Sequence, residues 1–240
     1  MKRTAKLWAL LLLGLMLVGC SKQPNVIKGE GLTFSQYFFP YDQLNERENI
    51  TYYKVKAEDD VPSSLPLQIR KAVHSAGLDQ LPFTVAEETA YLVTSKDKAG
   101  MQQNQVQLGY FKNTNTDIPD DFFIISVTES DRNPLETYSS LAELDSVGNR
   151  LIKKELTEGV PIYQQVITTD SALLYRYYKE DAKQMSIVGT SANEFYTYYN
   201  GCIYHIGYSI DRSKNDEEMQ EKMLQFVREF ILNGTEETTV

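Results

Sequence analysis

The stretch EFYTYYNGCIYHIGYSI, residues 194–210, decides how the chain is read. Two runs rich in aromatic and β-branched residues flank Asn200-Gly201. Asn-Gly suits a two-residue type I′ turn, in which both central residues take positive φ and the twist matches that of paired strands. Such a turn sets the register. Tyr199 stands opposite Cys202, Tyr198 opposite Ile203, Thr197 opposite Tyr204, Tyr196 opposite His205 and Phe195 opposite Ile206. Directly opposed residues share a face. One face therefore carries Phe195, Thr197, Tyr199, Cys202, Tyr204 and Ile206, and is expected to be core. The other carries Tyr196, Tyr198, Ile203 and His205. Two phenols and an imidazole beside a single isoleucine make it the expected contact surface for a ligand or partner, because exposed aromatic clusters mark such sites. The competing explanation is strand propensity, with tyrosine rings in the core and hydroxyls at the rim.

Past the hairpin, residues 215–232 read as a helix. Met219, Met223, Phe226, Val227, Phe230 and Ile231 form one apolar stripe, acidic residues fill the first turn and Gly234 follows the end. Towards the N-terminus the pattern is mostly strand: residues 51–55, 89–95, 105–112, 121–129, 150–156, 160–168, 171–179 and 184–189. Thr157-Glu158-Gly159 marks a second hairpin, with Gly159 available for positive φ. Residues 64–76 read as a helix closed by Gly77, and a weaker helical signal starts at Asn133-Pro134 and runs to Leu144. No strand–helix–strand alternation occurs. The expected fold is α+β: a curved antiparallel β-sheet with the C-terminal helix packed on one face.

The first twenty residues carry an address. Lys2, Arg3 and Lys6 precede a run of twelve uncharged, mostly apolar residues, 7–18. At about 1.5 Å per residue such a run covers about 18 Å, well short of a hydrocarbon core of about 30 Å. It reads as a secretory h-region. It ends Leu17-Val18-Gly19-Cys20, which resembles a bacterial lipobox. There a diacylglyceryl group joins the cysteine thiol, a peptidase cuts before the cysteine, and a fatty acid such as palmitate caps the new N-terminus. Two or more chains hold where one binds only marginally. The expected organisation is residues 1–19 signal peptide, 20–33 lipidated Cys20 and tether, 34–233 a single domain, and 234–240 a tail.

The charge balance restricts partners. The chain of 240 residues holds 24 Lys and Arg against 33 Asp and Glu, a net −9. Loss of residues 1–19 removes three bases and no acid, so −9 becomes −12. An acidic body is a poor nucleic-acid binder, and an anionic membrane surface repels it, so the lipid must do the anchoring. With Cys20 acylated, Cys202 has no intramolecular partner and no disulfide frames the fold.

Chemistry is sparse. His74 and His205 are far apart, Asp59-Asp60 and Asp120-Asp121 sit beside prolines as loop pairs, and no calcium loop, nucleophile elbow, phosphate loop or dinucleotide fingerprint occurs. No metal or cofactor is expected. Cys202 and His205 are three apart, and on a strand an odd separation puts side chains on opposite faces, which argues against a thiolate–imidazole pair.

Taken together, the lipobox, the phrase LPFTV at 81–85, the runs VQLGYF and DFFIISVT and the closing hairpin-plus-helix resemble uncharacterised lipoproteins of Gram-positive, spore-forming bacteria. The resemblance spans most of residues 80–232. It implies an extracytoplasmic, β-rich domain and transfers no catalytic residue. The functional expectation is a membrane-anchored binding or interaction module of the cell envelope, with an envelope protein or cell-wall ligand as partner. The alternative expectation is an envelope hydrolase with an unrecognised site.

Overall fold

The computed structural model describes residues 29, 31–34, 48–54, 69–70, 78–96, 100–113, 120–137, 143–181 and 184–233. Within them lie eleven strands: β1 (Leu32–Phe34), β2 (Glu48–Lys54), β3 (Glu87–Lys96), β4 (Gln102–Phe111), β5 (Phe122–Glu129), β6 (Arg150–Thr157), β7 (Val160–Val166), β8 (Ala172–Asp181), β9 (Gln184–Ser191), β10 (Asn193–Tyr199) and β11 (Cys202–Ser209). The helix α1 (Glu217–Asn233) closes the chain.

Eight strands form one antiparallel sheet in the order β2-β3-β4-β5-β11-β10-β7-β6. Its centre is the hairpin from which the sequence was read. Asn200 and Gly201 both have positive φ, 48° and 76°. The register runs from Tyr199↔Cys202 to Phe195↔Ile206, as the Asn-Gly turn requires. Asp216 caps α1, its carboxylate accepting from the Met219 amide at 2.9 Å. The helix lays Met223, Phe226, Val227, Phe230 and Ile231 on Phe123, Ile125, Val127, Phe195, Tyr204 and Ile206. Phe226 meets Phe123 edge-on, ring centres 5.0 Å apart. Each such side chain contributes about 1.5–3 kcal/mol on burial. The expected sheet-plus-helix architecture is therefore present.

The opposite face of the sheet is covered too. β8 and β9 form a hairpin, and β1 joins β8 in parallel, Leu32↔Ala172 to Phe34↔Leu174. This three-stranded sheet packs Tyr175, Tyr177 and Val188 on Phe111, Phe122 and Ile124. Tyr178, Met185 and Ile187 pack on Tyr91 and Val93. Two details seat it. A Cβ on Gly207 would lie 2.7 Å from three atoms of the Tyr175 ring, so the ring rests on bare backbone. Gln107 acts as a substitute peptide: its amide nitrogen donates to the Tyr178 carbonyl at 2.8 Å and its amide oxygen accepts from the Tyr178 N–H at 2.7 Å.

Several boundaries differ from the sequence reading. β1 starts at Leu32, so Leu32 and Thr33 belong to the body and not to the tether. Pairing with β8, 140 positions away, leaves no local trace. Gly29 also approaches closely: a Cβ there would lie 2.5 Å from Ser171 Oγ and 2.8 Å from Thr169 Oγ1. After Asn133 the described residues form a 3-10 turn, Pro134–Thr137, and residues 138–142 of the expected helix lie outside the described residues. Of the helix read at 64–76, Ile69 and Arg70 are described and are helical. The signal peptide, Cys20, His74, Asp59-Asp60 and the tail at 234–240 lie outside the described residues.

Candidate functional site

The hairpin face expected to meet a partner is interior. Tyr196 is fully buried, and Ile203 and His205 are 7% and 6% exposed. Leu135, Leu151 and Tyr163 pack on Tyr196 and Ile203, with Tyr198 at the margin. Tyr198 is half-buried and its hydroxyl donates to the Ser130 carbonyl at 3.1 Å. Further along, Tyr175 of β8 stacks edge-on against His205, centroids 5.0 Å apart. The correction has one cause. An antiparallel sheet with a half-polar face is expected to wet that face, but here β8–β9 and the Pro134 turn cover it.

A polar seam runs through this buried face. His205 Nε2 lies 2.7 Å from Glu194 Oε2, both side chains enclosed. Beside it Asp145 accepts from the amides of Val147 and Asn149 and from the side chains of Asn149 and Gln165. Asn149 Oδ1 in turn accepts from the amides of Thr168 and Thr169. These groups tie loops to the sheet. Cys202 points to the α1 face, away from His205, as the odd spacing requires, and burial pushes its thiol up to about 12. Among the described residues no three His, Cys, Asp or Glu side chains group to hold a metal. Asp121, read as a loop carboxylate, is a buried tie: it accepts from Lys112 Nζ at 2.6 Å and from the Asp211 amide at 3.1 Å.

An accessible polar cleft lies at the other face, where the first turns of α1 cross β6 and β7. It is a cleft of ≈ 390 Å³. The sheet supplies one wall with Arg150, Ile152, Lys154 and Gln164; the helix supplies the other with Glu217, Gln220 and Glu221. Strand alternation places Arg150, Ile152 and Lys154 on this face together. Helical spacing sets Glu217, Gln220 and Glu221 on one side of α1.

Arg150 NH2 donates to Gln220 Oε1 at 2.9 Å, while its NH1 is 3.5 Å from Glu217. Lys154 Nζ is 3.6 Å from Glu221. Neither ion pair reaches the ~2.7–2.9 Å of a charge-assisted hydrogen bond. Below them, Arg150 Nε and the Gln164 side chain are buried. Gln164 lies beside the enclosed Tyr208 hydroxyl. Burial raises the Tyr208 pKa, and Gln164 and Arg150 offset part of that rise. Sequence reading missed this cleft: Arg150, Gln164 and Gln220 come from three elements, and none stands in a motif.

No protein-family model matches the chain, and comparison with curated proteins and with solved structures returns no match.

Proposed function

We propose that the chain is a lipid-anchored, extracytoplasmic lipoprotein that works as a binding module in the cell envelope, with the cleft between β6, β7 and α1 as its ligand site. The observation that carries the anchor is the run from Lys2 to Cys20, a basic start, a short apolar segment and Leu17-Val18-Gly19-Cys20 in register. The resemblance to lipobox-bearing lipoproteins of spore-forming bacteria supports the same reading. A body left at −12 after cleavage gains little from an anionic surface, so the acyl chains on Cys20 do the holding. The partner is an envelope protein or a cell-wall ligand.

Metabolic labelling with an alkyne fatty acid tests the anchor. The wild-type chain takes up label and begins at Cys20. The Cys20→Ala chain takes up none and keeps residues 1–19. An unlabelled wild-type chain, or a Cys20→Ala chain cut at the same position, overturns the reading.

A further inference from the structure

We infer that β9 is a self-pairing edge: two copies of the chain join there antiparallel, about a two-fold axis, turning two three-stranded sheets into one sheet of six. The inference stands apart from the cleft and from lipidation at Cys20.

The edges of the two sheets are treated unequally. A sheet edge offers a row of N–H and C=O groups to any other strand, and folded chains guard it with short strands, bulges, charges or a cover. Three of the four edges here are guarded. β1 is three residues long. β2 shifts register between Glu48 and Thr51. β6 shifts register between Glu155 and Thr157 and exposes Lys153, Lys154 and Glu155. β6 is also covered near both ends: the Leu151 N–H donates to the Glu143 carbonyl at 2.8 Å, and Arg228 Nε donates to the Glu155 carbonyl at 2.9 Å.

β9 has none of these devices. Its eight residues, QMSIVGTS, hold no charge and no proline. Its pairing with β8 runs from Asp181↔Gln184 to Leu174↔Ser191 without a shift. Among the described residues no strand pairs with its outer edge. Gln184, Ser186, Gly189 and Ser191 are exposed. The strand is nevertheless held in place, since Met185 and Ile187 pack on Tyr91 and Val93, and Val188 packs on the Phe111 and Phe122 cluster. A fixed strand with a bare edge is a preorganised template for another strand.

Symmetry and charge select a second copy as that strand. In antiparallel pairing, opposed residues turn their backbone groups the same way, so a strand meets its own copy about an axis through a residue. An axis through Ile187 sets Gln184 opposite Thr190, Met185 opposite Gly189 and Ser186 opposite Val188 of the second copy. No two charges oppose one another along this seam. One strand further in, β8 places Glu180 beside Met185 and Arg176 beside Gly189. Each Glu180 therefore lies in line with Arg176 of the second copy, twice by symmetry. The same operation on β6 sets Lys153 and Lys154 among their own copies, like charge against like. Pairing consumes both β9 edges and leaves the three-residue β1 at each end, so assembly stops at two. One strand pair is small against the about 1,200–2,000 Å² of a stable complex, so dissociation in the micromolar range or weaker is expected.

Sedimentation equilibrium of the full chain in density-matched detergent micelles tests this. The wild type is expected to pass from monomer to dimer below about 0.5 mM and to go no further. Ser186→Lys and Ser186→Glu each put like charges on diagonal neighbours across the seam. Each is expected to weaken the dimer at least tenfold. Ser186 is exposed, so both variants keep the wild-type melting temperature, and loss of the dimer is not loss of fold. An equimolar mixture of the two variants is expected to dimerise as well as the wild type, because the introduced charges then attract. A wild type that stays monomeric to about 0.5 mM, a dimer that neither variant weakens, or a mixture no better than its parts overturns the inference.

Discussion

Replacing Gly207 with alanine tests the three-layer arrangement with one methyl group. Gly207 lies in β11 and is not among the glycines with positive φ, so alanine meets no backbone penalty there. On chain entropy alone the change stabilises a strand by about 0.5–1 kcal/mol. Sterically the reverse holds. The new carbon lands 2.7 Å from Cε1, Cε2 and Cζ of Tyr175. Tyr175 is 1% exposed, with His205 at 5.0 Å on one side and Tyr177 at 6.4 Å on another, so the ring has nowhere to swing. Overpacking of this kind costs about 1–3 kcal/mol, which outweighs the entropic gain. The expected net loss is about 1–2 kcal/mol, a fall in melting temperature of roughly 2–4 °C per kcal/mol for a chain of this size. Urea and thermal unfolding of four chains decide the matter: wild type, Gly207→Ala, Tyr175→Ala and the double variant. In the Tyr175→Ala background the obstacle is gone, and Gly207→Ala becomes neutral or stabilising, a coupling of about 1 kcal/mol or more. Stabilisation by Gly207→Ala in the wild-type background, or the same loss in both backgrounds, refutes the seating of β8 on β11.

Gln107→Leu strands the N–H and carbonyl of Tyr178 in a buried place, at about 1–3 kcal/mol per group; an unchanged urea midpoint would show that water reaches them. Alkaline pH is expected to weaken the fold. Burial pushes the Cys202 thiol and the Tyr177 phenol each up to about 12 in the folded chain, against about 8.5 and 10 when unfolded. Above about pH 8.5 the unfolded chain therefore binds fewer protons than the folded one, and stability falls as pH rises. Urea midpoints at pH 7, 9 and 10.5 read this, and a flat profile refutes it. In the same preparation Cys202 is expected to resist iodoacetamide at pH 8 until the chain unfolds; rapid native alkylation would place the thiol at the surface.

Local signals in the sequence carried the framework. Asn200-Gly201 announced a hairpin whose pairs stand as the turn geometry demands, and the Met223/Phe226/Phe230 stripe announced a helix that lies on the sheet. What the chain did not announce is its second cover. Gln105 and Gln107 alternate with Val106 and Leu108, a pattern that ordinarily means one wet face, yet both glutamines are 1% exposed. Their burial depends on β8 and β9, contributed some seventy residues later. The same long reach turned Tyr196 and His205 from expected surface into interior. The cleft was hidden for a related reason: Arg150 and Gln220 are seventy positions apart, and two charged walls become a site only when α1 crosses β6.

On the proposal that Cys20 carries a lipid anchor, the parallel seam between β1 and β8 has a mechanical meaning. Nine Cα–Cα steps lead from Cys20 to Gly29, and at full stretch they span at most about 32 Å, so such an anchor would leash the body. A tug on that anchor would enter through β1. Three residue pairs, Leu32↔Ala172, Thr33↔Leu173 and Phe34↔Leu174, receive it. Drag directed along the strand loads these pairs together in shear instead of peeling them one by one. β8 then spreads the load into β9 through eight further pairs, and into the large sheet through Gln107 and the Tyr175 ring seated on Gly207. Under that proposal the small sheet would be a strain-relief collar between the leash and the eight-stranded sheet.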